Sequence, residues 1–256
     1  MNGVIAELVA SVGAFLERFG ALARFFGRLV WLTPGGLLKV RLLIEQVYNA
    51  GALSLVIIMT CGLFVGMVMG LQGYDLLQRI GSEDALGVGA ALALLKELGP
   101  VVTALLFAGR AGTALASELG LMRATDQLAA MEIMAVDPMK RVVLPRFLGG
   151  VIAMPLLTAV FIAISLYGVQ LIAVQFFGVD QGQFWSQMRG AVEISDIREG
   201  LIKGLVFGIA CSLIAVFEGY NALPTAEGVG QATTRTVVIS AVVTLILDYV
   251  LTALMI

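Results

Sequence analysis

The chain has 256 residues, of which 59% are hydrophobic and only 13% charged, with a formal net charge of −2. Soluble domains carry about 25% charged residues, so a soluble globule is excluded and a polytopic membrane protein remains. The near-neutral balance, free of any basic block, excludes nucleic acid as a partner. The absence of His removes imidazole catalysis and the commonest transition-metal ligand. Cys61 and Cys211 each lie inside an apolar run and read as small buried hydrophobes, not as a disulfide or metal framework.

In chain order, the first element is an amphipathic helix. Val4, Leu8, Val12, Phe15, Phe19, Leu22, Phe26 and Leu29 recur at helical spacing, with Glu7, Ser11, Arg18, Arg24 and Arg28 on the other face. This pattern predicts a helix lying in the membrane interface, its basic face toward lipid headgroups. No basic stretch precedes its first apolar residues, so it does not read as a signal peptide.

Five segments then meet the requirement of about 20 mostly apolar residues for a membrane crossing. Residues 46–74 and 147–179 contain no Asp, Glu, Lys or Arg; 85–108 contains Lys96 and Glu97 at its centre; 200–217 contains Lys203; and 236–256 contains Asp248. Gly62, Gly66 and Gly70 stand four apart, as do Gly200, Gly204 and Gly208. Each set forms a glycine stripe that lets another backbone approach closely, within the chain or in a dimer. The nonamers 62–70 and 200–208 agree at five positions, three of them glycine, so shared packing demand explains the match better than internal duplication. A mid-bilayer charge costs about 2.5–3.5 kcal/mol and needs a partner or a wet cavity. Lys96 and Glu97 point about 100° apart on a helix, and Pro100 removes a backbone donor just beyond them. They fit a polar cavity margin; structural salt bridges of Lys203 with Glu97 or Asp248 are the other reading.

Between the second and third spans, residues 110–140 are polar. Thr125 has the residue type of a cap for a short helix through Asp126, Leu128, Met131, Glu132 and Met134, with Asp137-Pro138 ending it. Met122, Met131, Met134 and Met139 offer adaptable contact area, so the segment reads as a docking surface for another protein. The connection 178–199 is acidic and carries Phe184 and Trp185, as in a short surface helix with aromatic residues at the interface. Lys and Arg number eleven on one set of connections and three on the other, which places the N-terminus in the cytoplasm and the C-terminus outside. No Gly-Lys-Ser/Thr or Gly-x-Ser-x-Gly sequence is present, so the chain holds neither a P-loop nor a serine-hydrolase elbow. Nothing here reads as an enzyme active site.

Several runs resemble the MlaE permease family: 97–118 (ELGPVVTALLFAGRAGTALASE), 127–138 (QLAAMEIMAVDP), 144–146 (LPR), 46–51 (QVYNAG), 70–74 (GLQGY) and 232–236 (ATTRT). The resemblance covers nearly the whole chain from Val40 and implies an all-α, five-span helical membrane protein, 1–256 as a single permease domain. Within it, 1–45 forms interfacial helices, 46–256 the transmembrane core, and 110–140 the cytoplasmic coupling segment. It further implies a homodimeric permease of an ABC-type phospholipid transporter in the Gram-negative inner membrane, maintaining outer-membrane lipid asymmetry. Partners would be a cytoplasmic ABC ATPase that alone binds ATP, a STAS-domain protein on that ATPase, and a periplasmic hexameric MCE-domain protein. Carried over residue by residue, Met69, Tyr74, Leu76, Leu77, Lys96, Glu97 and Leu98 would line the lipid cavity. Glu118, Arg123, Asp126, Glu132 and Asp137 would serve ATPase coupling, with Lys203 and Asp248 as further intramembrane charges and no metal or other cofactor. Lys96 stands where some relatives carry Arg, and it is a point charge without a bidentate fork. The rival reading is an ion-coupled secondary transporter with Glu97, Lys203 and Asp248 as its relay.

Overall fold

The computed structural model describes residues 2–37, 40–79 and 81–255. They are almost entirely helical, and no strand occurs among them. Five helices are long and apolar enough to cross a membrane: Val40–Gln78, Leu86–Ala124, Met139–Phe176, Ile194–Tyr220 and Ala226–Met255, the first to fifth spans. An N-terminal helix, Asn2–Leu37, precedes them. A short helix, Gln127–Ile133, links the second and third spans, and a surface helix, Gln181–Ala191, links the third and fourth.

The third span is the centre of the bundle, and glycine brings its neighbours onto it. A Cβ on Gly66 would stand 1.9 Å from the Ser165 carbonyl oxygen, and one on Gly62 3.1 Å from that of Phe161. The fourth-span stripe seats on the same helix: Gly204 meets the Thr158 hydroxyl and Gly208 the Met154 Cβ. Both stripes therefore work within the chain, and a common partner accounts for their likeness. The first span turns Val56, Phe64, Val68 and Leu76 outward, and the fifth turns out Val238, Val242, Ile246 and Tyr249. Apolar side chains on the rim suit a lipid surround.

The spans outrun their apolar cores. The second continues as helix through Arg110 to Ala124, which shortens the polar connection expected over 110–140. Its 39 residues extend about 58 Å, and Lys96 lies about 15 Å from one end, so Lys96 and Glu97 sit in one half of the helix and not at its centre. Two prolines set irregular turns. Pro100 cannot donate to the Lys96 carbonyl, and a π turn over Leu94–Leu98 precedes it, with the Gly99 N–H reaching back to the Leu94 carbonyl. Pro145 follows the π turn Met139–Val143 at the same spacing. A missing donor is thus absorbed by widening the helix by one residue.

The short helix differs from its predicted form. Asp126, in the left-handed region at φ 56°, precedes it without a side-chain cap. Thr125 instead donates to the Leu121 carbonyl, closing the helix before. The helix stops at Ile133, ahead of Asp137-Pro138, and Ala135 at φ 57° turns the chain. Of the four methionines, Met134 is exposed, Met139 is buried, and Met122 and Met131 pack on the core.

The N-terminal helix lies against the end of the bundle where the short helix sits. Leu29 is fully buried beside Met139, Val142, Val143 and Phe147, while Phe19 and Trp31 are exposed. Its basic residues do not all face outward: Arg18 pairs with Glu218 at 2.5 Å and Arg28 with Asp137 at 3.4 Å. The side chains of Val4, Leu8, Val12 and Phe15 lie outside the described set, as does Lys39. In the surface helix, Asp180 caps the N-terminus by accepting from the Gln183 N–H at 2.7 Å. Phe184 is turned inward against Gly87.

The glycine contacts predict a sharp contrast between two substitutions. Gly66→Ala should cost about 1–3 kcal/mol, the range for overpacking, and lower the thermal midpoint in mild detergent. Gly89→Ala, with nothing within 4 Å of the added Cβ, should leave the midpoint unchanged or slightly raised. Equal midpoints for the two variants would refute the packing account.

Candidate functional site

The charges inside the spans meet in one network. On the fourth span, Asp196, Glu199 and Lys203 follow at intervals of three and four and share a face. Asp248 and Thr252 do the same on the fifth. The π turn at Leu94–Leu98 presents Lys96 and Glu97 to different members of this set. Lys96 Nζ lies 2.8 Å from Asp196 Oδ1 and 3.4 Å from Glu199 Oε2. Lys203 Nζ lies 3.0 Å from Glu97 Oε1 and 3.1 Å from Asp248 Oδ1, and donates to Thr252 Oγ1 at 2.7 Å. Three partners match the three donors of an ammonium. The Thr252 hydroxyl in turn donates a hydrogen bond to Glu97 Oε1 at 3.1 Å. Gly200 makes the approach possible, since a Cβ there would stand 2.3 Å from the Leu95 carbonyl oxygen.

Both pairings expected for Lys203 therefore occur together. Four carboxylates surround two ammonium groups, which leaves the network acidic. Its interior is Lys203, 2% exposed, and its open margin is Glu97 at 42% and Lys96 at 39%. Such a margin on an apolar bundle offers ionic and hydrogen-bonding contacts beside hydrocarbon.

The remaining residues expected at the lipid cavity divide into two groups within the chain. Met69, Tyr74 and Leu77 pack on Leu86, Ala90 and Phe184. The Tyr74 ring stacks on Phe177 with centroids 3.9 Å apart, and its hydroxyl donates to Glu83 at 3.3 Å. Leu76 and Leu98 face outward. The structure thus brings Lys96 and Glu97 together with Lys203 and Asp248, and keeps Tyr74 and its neighbours in a separate apolar cluster.

At the other end of the bundle, three of the five residues expected to serve coupling are engaged internally. Glu118 pairs with Arg146 at 3.2 Å. Arg123 donates to the Tyr220 carbonyl and lies over the Tyr220 ring, 5.9 Å from its centroid. Asp137 accepts from the Met139 N–H at 2.9 Å and takes Arg28. Asp126 and Glu132 are exposed and border a cavity of about 570 Å³ with Arg123, Leu128, Tyr220 and Pro224. Beside them Ile133 is 87% and Met134 67% exposed, an apolar projection that charge-based reasoning passes over. Ile133 lies between two singled-out residues, and its position at the helix end is the signal. In the sequence Arg110 opens the 110–140 segment and counts as one of its positive charges. It donates to the Asn49 carbonyl at 2.7 Å and to Ser54 Oγ at 3.3 Å, tying the second span to the start of the first. Among the described residues no group of three or more His, Cys, Asp or Glu is placed to hold a metal.

Comparison with known proteins follows the same lines. The family model described as "Permease MlaE" matches residues 43–254. The chain is 50% identical over 262 aligned residues to the intermembrane phospholipid transport system permease protein MlaE of Haemophilus influenzae, covering 98% of each chain. It is 31% identical to a probable ABC transporter permease protein of Rickettsia typhi, over 98% of this chain and 99% of that one. A probable ABC transporter permease protein of Synechocystis is 30% identical over 96% and 93%.

The network makes its own prediction. Lys203→Met strands Glu97 and Asp248, and breaking a buried pair in this way costs about 3–5 kcal/mol. The triple variant K203M/E97Q/D248N should recover most of that loss in thermal unfolding. If the triple variant were no more stable than the single one, the account of Lys203 as the counter-charge would be wrong.

Proposed function

The chain belongs to the MlaE permease family, and from that premise we propose that it is the membrane subunit of an ABC-type phospholipid transporter. The observation that carries this reading is the 50% identity, over nearly the full length of both chains, to a phospholipid transport permease. We place it in the inner membrane of a Gram-negative bacterium, exchanging phospholipid with the outer membrane to maintain its asymmetry. The excess of Lys and Arg on the connections that include the short helix orients that end toward the cytoplasm, with the C-terminus periplasmic.

The geometry suits an amphiphilic substrate. Acyl chains require apolar walls, and a phospholipid headgroup requires polar contacts nearby, which the half-open Lys96–Glu97 margin supplies in the periplasmic half. Met69, Tyr74, Leu76, Leu77 and Leu98 complete the proposed lipid site when two copies pair through their exposed apolar spans, each copy contributing one wall. No P-loop is present, so ATP is bound and hydrolysed by a separate cytoplasmic ATPase, itself joined by a STAS-domain protein. On the periplasmic side a hexameric MCE-domain protein receives the lipid. The short helix Gln127–Ile133 is the coupling element. Ile133 and Met134 would enter an apolar groove of the ATPase while Asp126 and Glu132 meet its rim. Glu118, Arg123 and Asp137 act behind that surface, holding the helix to the bundle.

Two outcomes test this. In the reconstituted complex, K96A/E97A should lower ATP-dependent phospholipid transfer by about tenfold or more, equivalent to ~1.4 kcal/mol, with the complex still assembled. Lipid flux driven by a proton gradient without ATP would instead support an ion-coupled carrier. Single cysteines at Asp126, Glu132 or Ile133 should crosslink to the ATPase, and failure at all three would remove the coupling assignment.

A further inference from the structure

Glu218 lies near the end of the fourth span and is the one acidic residue among the described residues that line a cavity there. Its side chain is 6% exposed, so its charge requires a counter-ion in every conformation the bundle adopts. Here Arg18 supplies it through one guanidinium nitrogen, Nη2, which lies 2.5 and 2.6 Å from the two carboxylate oxygens. That arginine reaches in from a separate element: it belongs to the N-terminal helix and remains 45% exposed. A second arginine belongs to a different helix. Arg235, on the fifth span, lines the same cavity of about 250 Å³ with Arg18, Glu218 and Gln231, and it forms no salt bridge among the described residues. One buried carboxylate thus shares a cavity with two arginines carried by two different helices.

We propose that Glu218 is a two-way latch. It holds the N-terminal helix through Arg18 in the conformation described here, and Arg235 takes over the carboxylate when that helix swings away. The hand-over keeps the buried charge paired throughout, so the N-terminal helix detaches without leaving an isolated ion. Its remaining contacts nearby are aromatic: Phe25 packs edge-on to Phe217 at 5.5 Å and against Tyr220 at 5.7 Å. Tyr220 also receives Arg123 from the end of the second span, next to the short helix. Displacement of the short helix therefore pulls on the same turn that carries Glu218. Use of the latch during transport rests on the permease reading; the exchange of partners does not.

The test is a set of substitutions in the purified full chain, read by thermal midpoint. With a second arginine available, R18Q should lower the midpoint by about 2 °C or less, and R235Q by no more than that. R18Q/R235Q should lower it by about 6 °C or more, because the carboxylate is then unpaired. Adding E218Q to the double variant should restore most of the loss. If the double variant fails to fold, restoration of folding by E218Q supports the latch, and its absence overturns it. A full loss in R18Q alone, or losses that simply add, would establish a fixed pair and overturn the exchange. None of these readouts involves lipid or ATP, so their failure leaves the permease reading standing.

Discussion

Backbone contact with the third span is the constraint on which the remaining geometry depends. In hydrocarbon, apolar side chains gain nothing by leaving one apolar medium for another, so helices associate through close packing and polar contacts. Gly62, Gly66 and Gly70 from one side and Gly204 and Gly208 from the other remove the side chains that would hold the spans apart. The third span answers with Gly168, whose own Cβ would stand 2.5 Å from the Leu63 carbonyl oxygen. Once the first and fourth spans are seated, the second is fixed by its glycine contacts: Gly99 against Ile162, and Leu95 against Gly200.

This packing also decides where ionisable groups can stand. Lys96 and Glu97 are neighbours in sequence, and an uninterrupted helix would turn them to faces set by its regular period. Pro100 forces the wider turn before it, and that turn lets Lys96 reach Asp196 and Glu199 while Glu97 reaches Lys203 and Thr252. Gly200 brings the two helices close enough for both. A residue known for breaking helices and one known for weakening them here jointly hold a charged network inside a bundle.

How much of this was legible follows from the range of each interaction. The five spans could be read directly, because a run free of charges is a property of the chain itself. Their ends could not: the second span keeps its helix through Arg110 because the Asn49 carbonyl satisfies that guanidinium, a contact 61 residues away. The pairing of Lys203 stayed open for the same reason, since it depends on how three helices are rotated. At Thr125 the residue type was right for a cap, but its hydroxyl turned back to Leu121 while Asp126 took the left-handed bend. In the N-terminal helix, Phe26 and Leu29 of the apolar face pack on the bundle while Phe19 is exposed. The basic face of that helix divides because Glu218 and Asp137, acidic and near the bundle end, recruit Arg18 and Arg28 from it. The glycine stripes were the most transferable signal, yet only the structure reveals that one helix receives both.

The second and fourth spans emerge as a pair joined along their length. At one end Arg123 holds Tyr220, and Gly219 admits the Ala116 backbone, whose carbonyl oxygen would lie 2.7 Å from an added Cβ. At the other end, the Lys96 and Glu97 ion pairs bind the same two helices. Tight packing makes such a pair respond to force as a body rather than by bending. The fifth span is attached differently. Its buried face is a file of small residues, Gly228, Ala232, Thr236, Ser240 and Thr244, and its strongest polar ties are Asp248 and Thr252 at the charged network. Small residues resist sliding little, while ion pairs resist separation. Motion delivered at the short helix would therefore shift the second and fourth spans together, with the fifth turning about Asp248. The polar margin at Lys96 and Glu97 lies where those two kinds of attachment meet.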